Sequence, residues 1–180
     1  MIVEIGAFCL MLALTASVAQ GVLAMAGARR RVLAGAGEGA AVVAFLAALG
    51  AFKALIWAFV TSDFSVANVA ANSHTAKPLL YKVAGAWGSH EGSMLLWCLA
   101  LTAYGAAVAL GGRGLPGRLK AYVLGTQGLL GAAFLAYTVF ASNPLARLAD
   151  VPVEGRSLNP LLQDPALALH PPFFYAGYVG

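Results

Sequence analysis

The sequence predicts an all-α fold, a polytopic bundle of helices spanning a membrane, on three observations. Hydrophobic residues make up 61% of the 180 positions and charged residues only 10%, far below the roughly 25% charged content of a soluble domain. The apolar residues gather into four proline-free stretches, each close to the about 20 residues that carry a helix across hydrocarbon. Apart from Glu4 and Lys53, the charges sit in the connections, basic in two of them and mixed to acidic in the other two.

The first stretch lies near Ile5 to Met25 and carries a small-residue run, Ser17-Val18-Ala19, that imitates a signal cleavage site. A secretory signal opens on a positive segment, whereas this one opens Met1-Ile2-Val3-Glu4 and places Arg29, Arg30 and Arg31 behind the apolar run. It is read as a retained helix with its N-terminus outside. The second stretch, near Ala40 to Val60, follows a flexible inner turn at Gly35 to Gly39. The third and fourth run near Met94 to Leu110 and Ala121 to Ala141. A fifth helix is expected to start after His170, because proline is accepted in a first turn and Phe174 and Tyr178 then share a face. The chain ends about two turns into it. These 180 residues are therefore expected to be one unit, the N-terminal membrane portion of a larger protein.

Retained Lys and Arg mark the cytoplasmic side of a membrane protein. The connections 26–39 and 111–120 carry Arg29, Arg30, Arg31, Arg113, Arg118 and Lys120 against Glu38 alone. Connections 61–93 and 142–171 carry Lys77, Lys82, Arg147 and Arg156 against Asp63, Glu91, Asp150, Glu154 and Asp164. The first pair is expected inside and the second outside. The net charge of +4 then reflects topology and attraction to anionic membrane lipid, and it is not read as a nucleic-acid signal. Cys9 and Cys98 have no C-x-x-C spacing and read as small apolar residues.

The outer connections are long and aromatic, and they hold all three histidines. Loops of that length are functional or disordered, and these are too apolar for disorder. The run Leu158 to Pro165, with its Asn-Pro and Asp-Pro steps, is expected along the membrane surface. Trp87, Trp97, Phe173, Phe174, Tyr175 and further aromatics crowd the outer side, whereas Tyr122 is the clearest inner-interface aromatic. Two readings stand: interface anchors, or a shelf for a large flat ligand. In Trp87-Gly88-Ser89-His90-Glu91-Gly92-Ser93, Ser89 suits a helix cap with Glu91 at the positive helix end, and the glycines admit close approach. His90-Glu91 is not H-E-x-x-H and is assigned no metal, and His74 reads as a solvated loop residue.

Lys53 lies near the outer end of the second helix, where it snorkels to headgroups or pairs with an outer carboxylate. An intramembrane charge also raises a functional hypothesis. His170 precedes Pro171, which pushes its backbone toward an extended conformation. It reads as a ligand, presented stiffly beside an aromatic wall of the kind a haem requires, or as a capping residue.

Several stretches resemble the cytochrome c maturation protein F family, the membrane haem lyase component of a bacterial maturation system. They are Asp63-Phe64-Ser65-Val66, Asn72-Ser73, Pro78-Leu79-Leu80-Tyr81-Lys82, Trp87 to Ser93, Leu158 to Asp164, His170-Pro171-Pro172 and Tyr178-Val179-Gly180, in family order. The resemblance implies a multi-pass protein of the bacterial inner membrane with its working loops in the periplasm. It makes His170 the first of two outward histidines that ligate the iron of a non-covalently held, b-type haem in transit. The haem chaperone CcmE would deliver that haem, and thiol-handling partners of the CcmH type would present apocytochrome c for thioether attachment. Trp87, Trp97, Phe173, Phe174 and Tyr175 become the candidate haem shelf. The second outward histidine, two intramembrane histidines and a tryptophan-rich segment of the family lie beyond residue 180, so this stretch alone is expected to be inactive. No role follows for His90, Glu91 or Lys53. The competing readings are an ion-translocating subunit that uses Lys53, and a non-catalytic membrane scaffold.

Overall fold

Backbone N–H and C=O groups have no water to bond in hydrocarbon, so apolar runs of this length are stable only as helices or closed barrels. The computed structural model describes residues 1–156 and 164–179, and four of its helices are long and apolar enough to cross a membrane. They are α1 (Ile2–Gly27), α2 (Arg31–Val60), α5 (His90–Gly111) and α6 (Gly117–Phe140). Two short helices, α3 (Ala67–Asn72) and α4 (Leu79–Gly88), lie between α2 and α5, and α7 (Pro165–Val179) follows α6. A single 3-10 turn, Gly112–Gly114, links α5 to α6. The expected polytopic helical bundle is what forms.

α1 packs against α2 and α6, α5 lies against α2 and α6, and α7 rests on α5 and α4. Leu10, Leu55, Phe59, Leu95 and Leu135 form the centre of the core, surrounded by buried alanines. Small residues let helix backbones approach closely where lipid offers no hydrophobic drive to associate. A Cβ on Gly27 would meet the Ala34 backbone at 2.5 Å, and one on Gly37 would meet the Ala24 nitrogen at 2.8 Å. That contact explains why α2 begins at Arg31 and not near Ala40: the Gly35 to Gly39 run, expected as a turn, is helix packed on α1. The connection shrinks to residues 28–30.

The outer connection 61–93, expected as loop, contains α3, α4 and the first turn of α5. Pro78 caps α4 with an extended backbone. The Ser89 Oγ accepts the Gly92 N–H at 3.0 Å, so α5 begins at His90, four residues ahead of the Met94 expected from hydropathy. The segment 142–156 lies across the first connection. The Ala67 N–H donates to the Ala146 carbonyl at 2.9 Å, the Leu148 N–H to Ser65 at 2.9 Å and the Arg156 N–H to Ala70 at 2.7 Å. Arg147 gathers Glu4, Asp63 and the Ser65 hydroxyl at the same end of the bundle. The run from Leu158 to Gln163 lies outside the described residues.

The largest departure concerns α7. The helix starts at Pro165 and runs through Pro171 and Pro172, so His170 is helical and the extended pre-proline backbone is not adopted. Pro165 supplies a pre-set first helical position. The Asp164 Oδ1 accepts the Ala166 N–H at 2.9 Å and its carbonyl accepts the Ala168 N–H at 2.8 Å. A cap placed six residues before His170 thus overrides the local preference of an X-Pro step.

Candidate functional site

α7 carries His170 at the end of the bundle that holds Met1, Asp63 and Arg147, because the Trp87 indole N–H at the end of α4 donates to the Ala168 carbonyl at 2.8 Å. Two further bonds pin the helix to α5: Ser93 Oγ with the Tyr175 hydroxyl at 2.8 Å, and the Tyr104 hydroxyl to the Ala176 carbonyl. Trp97 packs between α6 and α7, with ring centroids 5.8 Å from Phe134, 5.6 Å from Tyr175 and 5.6 Å from Tyr178.

Helical spacing puts residues 170, 174 and 178 on one stripe. The His170 ring tilts at 36° to Phe174 with centroids 5.5 Å apart, and Phe174 stacks on Tyr178 at 5.6 Å and 10°. All three side chains are exposed. His170 has no hydrogen-bond or ionic partner among the described residues. Phe173, 77% exposed, stands at i+3 from His170 and so borders that stripe. Tyr175 is half-buried and faces Trp97 and Ser93. Trp87 is half-buried too, its ring stacked on Phe52 at 6.4 Å.

Of the aromatic residues expected around His170, Phe174 alone lies beside the imidazole, with Trp97 and Tyr175 one layer behind. Trp87 contacts the backbone of α7. Tyr178 joins the stripe and was not among the site candidates. Its i+8 relation to His170 becomes visible only once the helix is known to start before the prolines.

The other histidines are placed differently. His90 opens α5, with its Nδ1 3.1 Å from the Ser142 Oγ and its ring edge-on to Tyr137 at 6.2 Å. With Glu91, Asn68, Asn72 and Asn143 it lines an open cavity of about 610 Å³. Glu91 is half-buried and has no partner among the described residues. His74 accepts the Ala76 N–H at 3.1 Å within its own turn. Lys53 stands on the outside of α2, and no carboxylate among the described residues is within ion-pair reach of it. Cys9 and Cys98 are free thiols, Cys98 buried against Thr138 at 3.5 Å.

Among the described residues no group of three or more His, Cys, Asp and Glu side chains is placed to hold a bare metal ion. One exposed imidazole beside apolar rings fits a different donor set. A porphyrin brings four nitrogens of its own and leaves only axial positions for protein side chains.

Comparison with known proteins places this geometry in a family. The family model described as Cytochrome C assembly protein matches residues 87–180, which include α5, α6 and α7. Over its whole length the chain is 54% identical to the cytochrome c-type biogenesis protein ccl1 of Rhodobacter capsulatus and 53% identical to CycK of Rhizobium meliloti. It spans 28% and 27% of those two relatives. A solved structure, Cytochrome c Heme Lyase CcmF, superposes on 99% of the chain with a TM-score of 0.83 and 26% identity, the chain covering 28% of it. A likeness that runs the length of the chain, joined to a family match over the helices that build the His170 stripe, means that the chain belongs to the cytochrome c assembly protein family.

Proposed function

We propose that the protein handles haem for cytochrome c biogenesis, with His170 as an axial ligand of the iron and Phe174 and Tyr178 as the apolar face beside it. The observation that carries this reading is the exposed imidazole, without a polar partner among the described residues, in line with two stacked rings on α7. Trp97 and Tyr175 back the stripe, Phe173 offers further apolar surface, and Trp87 holds the helix that bears them.

The stripe sits at the end of the bundle remote from Arg29, Arg30, Arg31, Arg113 and Arg118, which cluster where α1 meets α2 and α5 meets α6. Cationic residues favour the cytoplasmic side, so His170 and the N-terminus face the periplasm from the bacterial inner membrane. The whole of residues 1–180 then acts as one membrane unit.

Haem supplies the electrophilic vinyl groups and the redox-active iron. This chain's residues bind and orient. His170 would hold the iron, and the aromatic stripe would shield the bound group from water. The haem is of the b type, held without covalent bonds while in transit. CcmE is the expected donor, and apocytochrome c, its cysteines kept reduced by CcmH-type partners, is the acceptor.

The test is haem retention by the full-length, membrane-embedded protein. His170→Ala is expected to remove the absorption band of outward-face haem and to stop holocytochrome c formation, whereas His74→Ala leaves both unchanged. Retention of haem and of cytochrome maturation by His170→Ala overturns the reading.

A further inference from the structure

We infer that Trp87 is a positioning residue for His170: its indole N–H takes the place of the backbone amide that Pro172 lacks, and so sets the pose in which α7 presents the imidazole. This rests on the reading of His170 given above.

In a regular α-helix the N–H of residue i closes on the carbonyl of residue i−4. Proline has no N–H to give. Pro172 therefore leaves the Ala168 carbonyl without its helical partner, two residues from His170. Ala168 is only 3% exposed, so bulk water does not reach the residue, and a buried carbonyl without a partner is strongly disfavoured.

The Trp87 Nε1 lies 2.8 Å from that same oxygen. An indole has one donor and no acceptor, so the direction of the bond is fixed. Trp87 is itself held, at the end of α4 and stacked on Phe52 of α2. The proline pair thus opens a docking point in α7, and a donor on a neighbouring helix occupies it. Ser93 with Tyr175, and Tyr104 with Ala176, fasten the later turns. Among the described residues, only the Trp87 bond ties the turn that carries His170 to a neighbouring helix. A sequence that merely anchored a tryptophan at an interface would not need its N–H to meet the one carbonyl that Pro172 frees.

The experiment compares Trp87→Phe, Pro172→Ala and the double variant in the full-length protein. Trp87→Phe keeps an aromatic ring on Phe52 and removes the donor. Pro172→Ala returns an amide to the Ala168 carbonyl. Each variant is made with His170 intact, for haem retention and the haem spectrum. Each is also made with His170→Cys, for the labelling rate of that thiol by a membrane-impermeant maleimide.

Trp87→Phe is expected to weaken haem retention by about tenfold, the scale of one hydrogen bond to a buried group, to shift the haem spectrum and to raise the labelling rate at position 170. Adding Pro172→Ala restores all three toward wild type. Adding Pro171→Ala, which returns an amide aimed at the carbonyl of residue 167, restores none. The inference is overturned if Trp87→Phe leaves the labelling rate unchanged, or if Pro171→Ala rescues as well as Pro172→Ala does. Haem retained by His170→Ala would instead sink the ligand assignment, and the labelling comparison would still decide the role of Trp87.

Discussion

Gln20 of α1 and Gln127 of α6 meet inside the bundle, the Gln20 Nε2 donating to the Gln127 Oε1 at 2.6 Å. The same amide nitrogen donates to the Leu124 carbonyl at 2.9 Å, and the Gln127 Nε2 reaches the Leu101 carbonyl on α5. Two side chains thereby join three helices at a point where Gln20 is 2% exposed. Gln20→Leu leaves the Gln127 Oε1 without a donor, and the expected loss is about 1 kcal/mol, in line with interhelical hydrogen bonds in membranes. Denaturation of the detergent-solubilised protein measures it. Gln20→Leu combined with Gln127→Leu should be less destabilised than the sum of the single variants, because the orphaned acceptor is gone.

Lys120 does comparable work closer to the junction of α5 with α6. Its Nζ donates to the Ala109 carbonyl in the last turn of α5 at 2.7 Å and pairs with the Glu38 Oε2 of α2 at 2.9 Å. Lys120→Met uncovers a buried helix-end carbonyl and is expected to cost about 1–3 kcal/mol. Glu38→Gln removes only a half-exposed partner and should cost less than about 1 kcal/mol. Equal losses in the two variants, by the same denaturation assay, would refute the carbonyl contact as the larger effect.

Gly92, in the first turn of α5, has the Ala86 carbonyl of α4 where a side chain would stand: a Cβ there would lie 1.8 Å from that oxygen. Gly92→Ala must push α4 away from α5, at about 1–3 kcal/mol for an overpacked site. Because Trp87 sits at the end of α4, protease cleavage of segment 73–89 and the labelling rate at position 170 should rise together. An unchanged cleavage pattern would argue against a fixed α4–α5 joint.

Lys77, in the outer connection, has its amine pushed down to about 8 from the ordinary 10.5, first by burial and then by the nearby Lys82 charge. The folded state therefore binds fewer protons than the unfolded one between about pH 8 and 10.5, and the sign of linkage makes stability rise with pH across that window. At pH 8 about half of the Lys77 amine is neutral and nucleophilic. Acylation followed by mass spectrometry should find Lys77 modified faster in the folded protein than in the denatured chain. The reverse order contradicts the burial of its ammonium.

The sequence made the membrane bundle legible because hydrocarbon imposes one rule on every residue of a spanning segment, and composition alone reveals who obeys it. The four long helices, the segregation of Arg29 to Arg31 from the acidic connections, the Ser89 cap and the candidacy of His170 all follow from local chemistry or from family-like motifs. Helix limits were less legible. Gly35 to Gly39 looks like a turn until Ala24 and Ala34 are packed against it, and His170 looks extended until the Asp164 cap starts α7 upstream.

The residue that fixes the pose of His170 was decided by tertiary structure alone. Helical spacing lines Phe174 and Tyr178 up with the imidazole once the helix is known to include it, but no local pattern says that Trp87 serves the backbone behind it. That role depends on a hydrogen bond between residues 87 and 168, across 81 positions of chain. Such a bond forms because folding buries a carbonyl that proline has left without its amide, and its energy exists only once distant helices exclude water from the same spot.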